Sequence, residues 1–415
     1  MTIDKRVIGL SAAVALLVGG LAGCGGSGSG KESGGGEKSA QAVKLTVWSP
    51  QEDQKDSSSW LPKMEAAFAK AHPEYKITWK NAVVAEGDAG TTVKQDPSAA
   101  ADVFMFANDQ LGTLVESDAI GELSDTAKAQ IKKQDNQEMI DSVTSKGKEY
   151  GVPYTGNVWF MYYNKSKFSA EDAKSLDTLL SKGKVSFQLN NSWYLPAFYT
   201  GNGSTLFGPN GTDESAGIDF GGAKAADVTK YLVGLKANPN FVLDQDGAGL
   251  AGLGNGSVDV LFSGSWDAEN VKKALGDNFA VAKLPTYNLN GKQVQMKAMA
   301  GSKAVGYNPN TKNPKAASEF AAFLGSTEAQ KAHYEMRDII PTDQELMKDS
   351  KISSDAVAVA QNDTLNDTSV LQPTLAGMAN FWTPCENFGN AIVNGDVNAD
   401  NAAAKTEDWN AAYKK

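Results

Sequence analysis

The chain has 415 residues, 41% of them hydrophobic, and a formal net charge of −10. That length exceeds one ordinary core, and the composition suffices for two of real size. The acidic balance excludes nucleic acid or anionic lipid as partners through bulk charge, and two cysteines, Cys24 and Cys385, exclude a disulfide framework.

At the N-terminus, Lys5 and Arg6 head a charge-free apolar run, Val7 to Gly20, followed by small residues and then Cys24. This is the layout of a secretory signal peptide. The run is too short to span a bilayer and ends in glycine-rich sequence. The placement of Cys24 directly after Leu21-Ala22-Gly23 resembles the lipobox of bacterial lipoproteins. That resemblance implies removal of residues 1–23 and lipidation of Cys24. The protein is then held on the outer face of the bacterial cell membrane by several acyl chains. Residues 24–42 are mostly Gly and Ser, a flexible tether with a reach of roughly 20–25 Å.

From Val43 onward strands and helices alternate. Lys44-Leu45-Thr46-Val47-Trp48 predicts a strand. Leu61, Met64 and Phe68 fall on one stripe of a helix, which His72-Pro73 ends. Tyr75, Ile77 and Trp79 then alternate with Lys76 and Thr78, the period of a strand. Asp102 to Phe106 and Val258 to Phe262 are compact apolar strands, and Ala304 to Tyr307 is strand-like. Asn313-Pro314 opens a helix that turns Phe320, Phe323 and Leu324 inward and is closed by Gly325 at its C′ position. Thr327 with Gln330 gives a capping-box signature for the next helix. Strand, helix, strand, loop, strand is the order of a parallel α/β sheet. Trp60, Trp79, Trp159 and Trp409 are expected to pack, Cys385 to be a buried small apolar residue, and His72 and His333 to lie on the surface.

Open parallel sheets hold ligands at the carboxyl ends of their strands. Here Trp48 ends the first strand, with Glu52 and Asp53 just beyond, and Phe106 ends another, followed by Asn108 and Asp109. Aromatic rings beside short polar groups suit a carbohydrate: the C–H face of a pyranose stacks on a ring, and carboxylates and amides serve its hydroxyls. Trp266 after a Ser-Gly-Ser turn, and Trp193 in the polar loop Asn190-Asn191-Ser192, are expected to face that ligand.

Five motifs occur in one order: Lys44 to Trp48, Asp102 to Asp109, Tyr162-Tyr163-Asn164-Lys165, Ser263-Gly264-Ser265-Trp266 and Ala379-Asn380-Phe381-Trp382. The series resembles the maltose- and maltodextrin-binding proteins, the sugar-capturing subunits of ABC importers. The resemblance implies an α/β, two-lobed periplasmic-binding-protein-like fold with a hinge and an inter-lobe ligand cleft. It implies a first lobe of about residues 43–154 and 303–350, and a second of 155–302 and 351–415. Trp266 and Trp382 then match stacking aromatics of the second lobe, Trp193 a stacking tyrosine, and Phe106 a first-lobe tryptophan. Asp109 matches a hydroxyl-binding aspartate, and Glu52 with Asp53 a polar pair after the first strand. Asn157 stands in place of a family glutamate and Asn191 in place of an acid, while Gln110 and Glu386 stand where arginines can occur. The implied partners are an oligosaccharide, most closely maltose or maltodextrin, and the permease subunits of an ABC transporter. No cofactor is implied, and the expected state is a monomer.

Other chemistry finds little support. No His-Glu-x-x-His, Cys-x-x-Cys or phosphate-binding GxxxxGK motif occurs. Asp244-Gln245-Asp246-Gly247 starts like a calcium loop but places Ala248 and Asn255 at ligand positions. Two alternatives stay open on the residues: a lipid-anchored carbohydrate-active enzyme, which needs two carboxylates about 5–10 Å apart, and the same fold holding a different solute.

Overall fold

The computed structural model describes residues 40–96, 100–245 and 247–413. Signal peptide 1–23, Cys24 and the tether up to residue 39 lie outside the described residues, as does Asp246. The architecture is α/β and two-lobed, each lobe a sheet covered by helices.

The first sheet begins as the alternation predicts. Strand Gln41–Ser49 runs parallel to both its neighbours, Tyr75–Val83 and Val103–Ala107. Successive side chains of a strand point to opposite faces. Val43, Leu45 and Val47 therefore enter one core, and Trp48 enters another on the far side of the sheet, with Phe104 and Phe106. Helix Trp60–Ala71 covers the first of these cores with Trp60, Leu61, Met64 and Phe68. The Phe68 ring meets Phe320 and Phe323 of helix Pro314–Leu324 at 5.0 and 5.6 Å. Each such buried side chain contributes roughly 1.5–3 kcal/mol. The sheet is not wholly parallel. Ala298–Tyr307 runs antiparallel to Val103–Ala107 and to Val152–Asn157, because the chain re-enters this lobe from the opposite direction.

The second sheet has five strands, in the order Phe241–Leu243, Val185–Phe187, Val260–Gly264, Trp159–Asn164 and Phe279–Ala282. Its core is aromatic: Trp159 lies 4.6 Å from Tyr194 and 5.8 Å from Phe187. Cys385 is buried there as a small apolar residue. Only Val158 separates Val152–Asn157 of the first sheet from Trp159–Asn164 of the second. Strand Ala298–Tyr307 makes the second crossing, since Ala298 to Ala300 pack in the second-lobe core and Val305 in the first.

Trp60, Trp159 and Trp409 are buried and Trp79 half-buried, so all four pack as expected. Several local expectations need correction. His333 is not a surface residue: it is 2% exposed, because Trp60 stacks on its ring at 4.0 Å and Asp53 bonds its Nε2. Gly325 does follow its helix, but with φ −92°, outside the left-handed region. Close approach explains the glycine instead, since a Cβ there would stand 2.3 Å from Val152 Cγ1. The next helix, Thr327–Arg337, is capped one residue earlier than the signature suggests: Ser326 accepts from the Ala329 N–H, and Thr327 donates instead to Asp343. Asp244, in the stretch that the sequence already set aside as a calcium loop, accepts from the Gly249 N–H at 2.8 Å near the start of helix Ala248–Asn255.

Candidate functional site

Between the lobes lies a cavity of about 400 Å³. The first lobe supplies Asp109 and Gln110, and the second supplies Trp193 and Trp266; Asn157 and Lys303 from the two crossing strands, with Trp382 and Gln372, complete the walls. Each residue arrives for a local reason. Asp109 sits in the 3-10 turn Asn108–Gln110 that follows the strand Val103–Ala107. The Gln110 amide donates to its carboxylate, yet burial wins and pushes the Asp109 carboxyl above the usual range. Asn157 ends the strand that crosses between the lobes and pairs with Gly301.

Turns set Trp193 and Trp266, while Trp193 and Trp382 also pack against the second-lobe core. Trp193 donates its backbone N–H to Asn191 Oδ1 at 2.8 Å, an Asx turn that sets the loop. Trp266 lies in the 3-10 turn Ser265–Asp267, fixed by Ser263 donating to Asp267 at 2.6 Å and Tyr162 donating to the Gly264 carbonyl at 2.8 Å. It is 43% exposed. The Trp193 and Trp266 rings stand 5.9 Å apart at 32°, lining one wall. Trp382 opens helix Trp382–Asn394, edge-on to Phe381.

Not all the predicted site residues arrive. Trp48 and Phe106 do not line the cleft; they are 5% and 0% exposed, spent on the core beside Phe104. For Phe106 the strand-end rule errs by one step of the pleat: Ala107, the next residue, is the one that reaches the cavity. Asn191 lines a neighbouring cavity of about 390 Å³ in the second lobe, together with Asp244, Asp267 and Glu386. Lys303 and Gln372 carried no sequence signal, because each lies in an apolar or irregular stretch with no motif around it.

Glu52 and Asp53 line a third cavity of about 500 Å³, which adjoins the first through Trp266 and Lys303. Asp53 is 1% exposed and already committed, accepting from His333 and Arg337. Burial alone would raise its carboxyl, but the His333 and Arg337 charges overcome that and hold it below the usual range. Glu86 behaves alike: burial opposes its ionisation, and Lys303 with the Tyr154 hydroxyl outweighs burial. Among the described residues the cavity on Trp193 and Trp266 therefore offers tryptophan faces, amides and the Asp109 carboxyl, which accepts from Gln110. That set suits a neutral, hydroxyl-rich ring. No helix among the described residues is long and apolar enough to cross a membrane.

Comparison with known proteins agrees in kind. The chain is 27% identical to a maltooligosaccharide ABC transporter solute-binding lipoprotein of Streptococcus pneumoniae serotype 4, over 96% of this chain and 94% of that one. It is 31% identical to a maltodextrin-binding protein of L. casei BL23 solved without ligand, covering 90% and 99% of the two chains with a TM-score of 0.81. It is 47% identical to a structure solved with acarbose, covering 89% and 98% with a TM-score of 0.86. The model of the bacterial extracellular solute-binding proteins matches residues 63–360, and this chain belongs to that family.

Proposed function

We propose that the protein captures a neutral α-glucan oligosaccharide, maltose or a maltodextrin, outside the cytoplasm and delivers it to the permease of an ABC transporter. The observation that carries this is the cavity in which Trp193, Trp266 and Trp382 face Asp109, Gln110 and Asn157. Aromatic planes on one side and hydroxyl partners on the other are what an amphipathic pyranose requires. The relatives named above point the same way. The protein works as a monomer anchored through lipid on Cys24, with lobes of about 43–154 plus 303–350 and 155–302 plus 351–415 that close around the sugar. Closure is favoured because neither lobe alone can desolvate the ligand.

The protein binds without hydrolysing. What supports this is that the chain belongs to the extracellular solute-binding proteins and resembles solute-binding relatives along nearly its whole length. Calorimetry with maltose, maltotriose and maltotetraose tests the proposal. Binding is expected, and Trp193→Ala is expected to weaken it at least about tenfold, the loss of one good contact. Maltotetraose is expected to be recovered intact after long incubation. No heat with any of the three sugars, or cleavage products in excess of protein, would overturn it.

A further inference from the structure

Lys303 has no motif and no counterpart in the aromatic-and-acid pattern, yet it faces two of the inter-lobe cavities. It projects from the crossing strand Ala298–Tyr307, with a side chain 23% exposed. Its ammonium lies 3.2 Å from Glu86 Oε1. Glu86 is buried and also accepts from the Tyr154 hydroxyl at 2.7 Å, so its position is fixed from two sides. The same ammonium lies 5.8 Å from the centroid of the Trp266 ring, which belongs to the other lobe. An ammonium carries three donors, and among the described residues this one has Glu86 as its single hydrogen-bond partner.

We propose, resting on the sugar-capturing role above, that Lys303 is a direct ligand contact that donates to a hydroxyl of the pyranose stacked on Trp266, with Glu86 and Tyr154 as its positioning residues. A ring lying on Trp266 inside this cavity is within reach of the remaining N–H groups. A hydrogen bond from a charged donor is roughly twice as strong as one from an amide. The charge itself is balanced by Glu86, so the site gains that strength without favouring an anion over a neutral sugar. The arrangement also links recognition to closure. The sugar is held by a cation of one lobe and an aromatic ring of the other, and both contacts exist together only when the lobes meet.

The test is calorimetry with maltotriose on wild type, Lys303→Met, Lys303→Gln and Lys303→Arg, with ligand-free thermal melts. Lys303→Met is expected to weaken binding about tenfold to a hundredfold. Lys303→Arg, which keeps a charged donor, is expected to recover most of the lost affinity; the ligand-free melt of Lys303→Met is expected to fall because buried Glu86 loses its cation, so the affinity of the folded variant decides. A merely structural lysine would lower the melt and leave affinity alone. Should Lys303→Met melt too early to be titrated, Lys303→Gln is read in its place. Wild-type affinity in the folded variant overturns this assignment while leaving the sugar role standing. No binding by wild type overturns both.

Discussion

Asp53 and His333, 280 positions apart in the chain, meet at 2.9 Å inside the first lobe. The imidazole is clamped between Trp60 at 4.0 Å and Tyr154 at 5.6 Å, and Arg337 completes the ion cluster from the next turn of the same helix. The loop after the first strand is thereby welded to helix Thr327–Arg337.

The cluster makes a pH-dependent contribution to stability. A carboxyl held below its unfolded value stabilises the fold above that value and loses the contribution as pH falls through the folded one. Asp53 has an unfolded value of 3.8 and a lower folded one. Asp53→Asn is therefore expected to destabilise the protein by about 2–3 kcal/mol at neutral pH, since it takes a charged acceptor away from buried His333 and half-buried Arg337. The deficit is expected to shrink below about pH 4, where wild type loses the same contribution. Urea melts of both proteins at pH 7 and pH 3 check this, and an equal deficit at both values would refute it.

Asp135 presents the opposite case. It is 7% exposed, and neither carboxylate oxygen has a hydrogen-bond partner among the described residues. Burial pushes its carboxyl up to about 7. A raised carboxyl favours the fold in its protonated form, so its penalty is absent below about pH 4, grows as pH rises and is complete above about pH 7. Asp135→Asn removes the charge and keeps the shape. It is expected to raise stability at pH 8 by on the order of 2 kcal/mol and to change nothing at pH 4. Thermal melts at the two pH values decide; a variant less stable than wild type at pH 8 would mean that the charge is in fact well solvated.

The sequence reveals most of the fold because its signals are local. The alternation of Tyr75, Ile77 and Trp79 and the stripe of Leu61, Met64 and Phe68 appear as the strand and helix those periods require. The site was half legible. Trp266 and Trp193 stand in polar turns with no apolar stripe to claim them, and both line the cleft. Trp48 and Phe106 failed because position at a strand end says nothing about which face a ring takes. Their register partners set that, and the pleat sent both into the core. His333 was unreadable because its burial depends on Asp53 and Trp60, residues far away in sequence. Lys303 was unreadable for the same reason, its importance resting on Glu86 and on a ring from the other lobe.

One glycine gives a way to move a cleft ring without touching its chemistry. Gly264 has φ −99°, a backbone that any residue adopts, so alanine fits the chain there. Its Cβ, however, would stand 2.1 Å from Trp266 Cζ3 and 2.2 Å from Cη2. Because Trp266 is 43% exposed, its ring has room to swing away, and the collision is relieved without disturbing the core. Gly264→Ala is therefore expected to fold normally, with the indole displaced from the cavity wall. Maltotriose affinity is expected to fall about tenfold or more, the loss of roughly one stacking contact, while the ligand-free melt stays near that of wild type. Wild-type affinity together with a wild-type melt would show that the sugar does not depend on the ring where Gly264 allows it to lie.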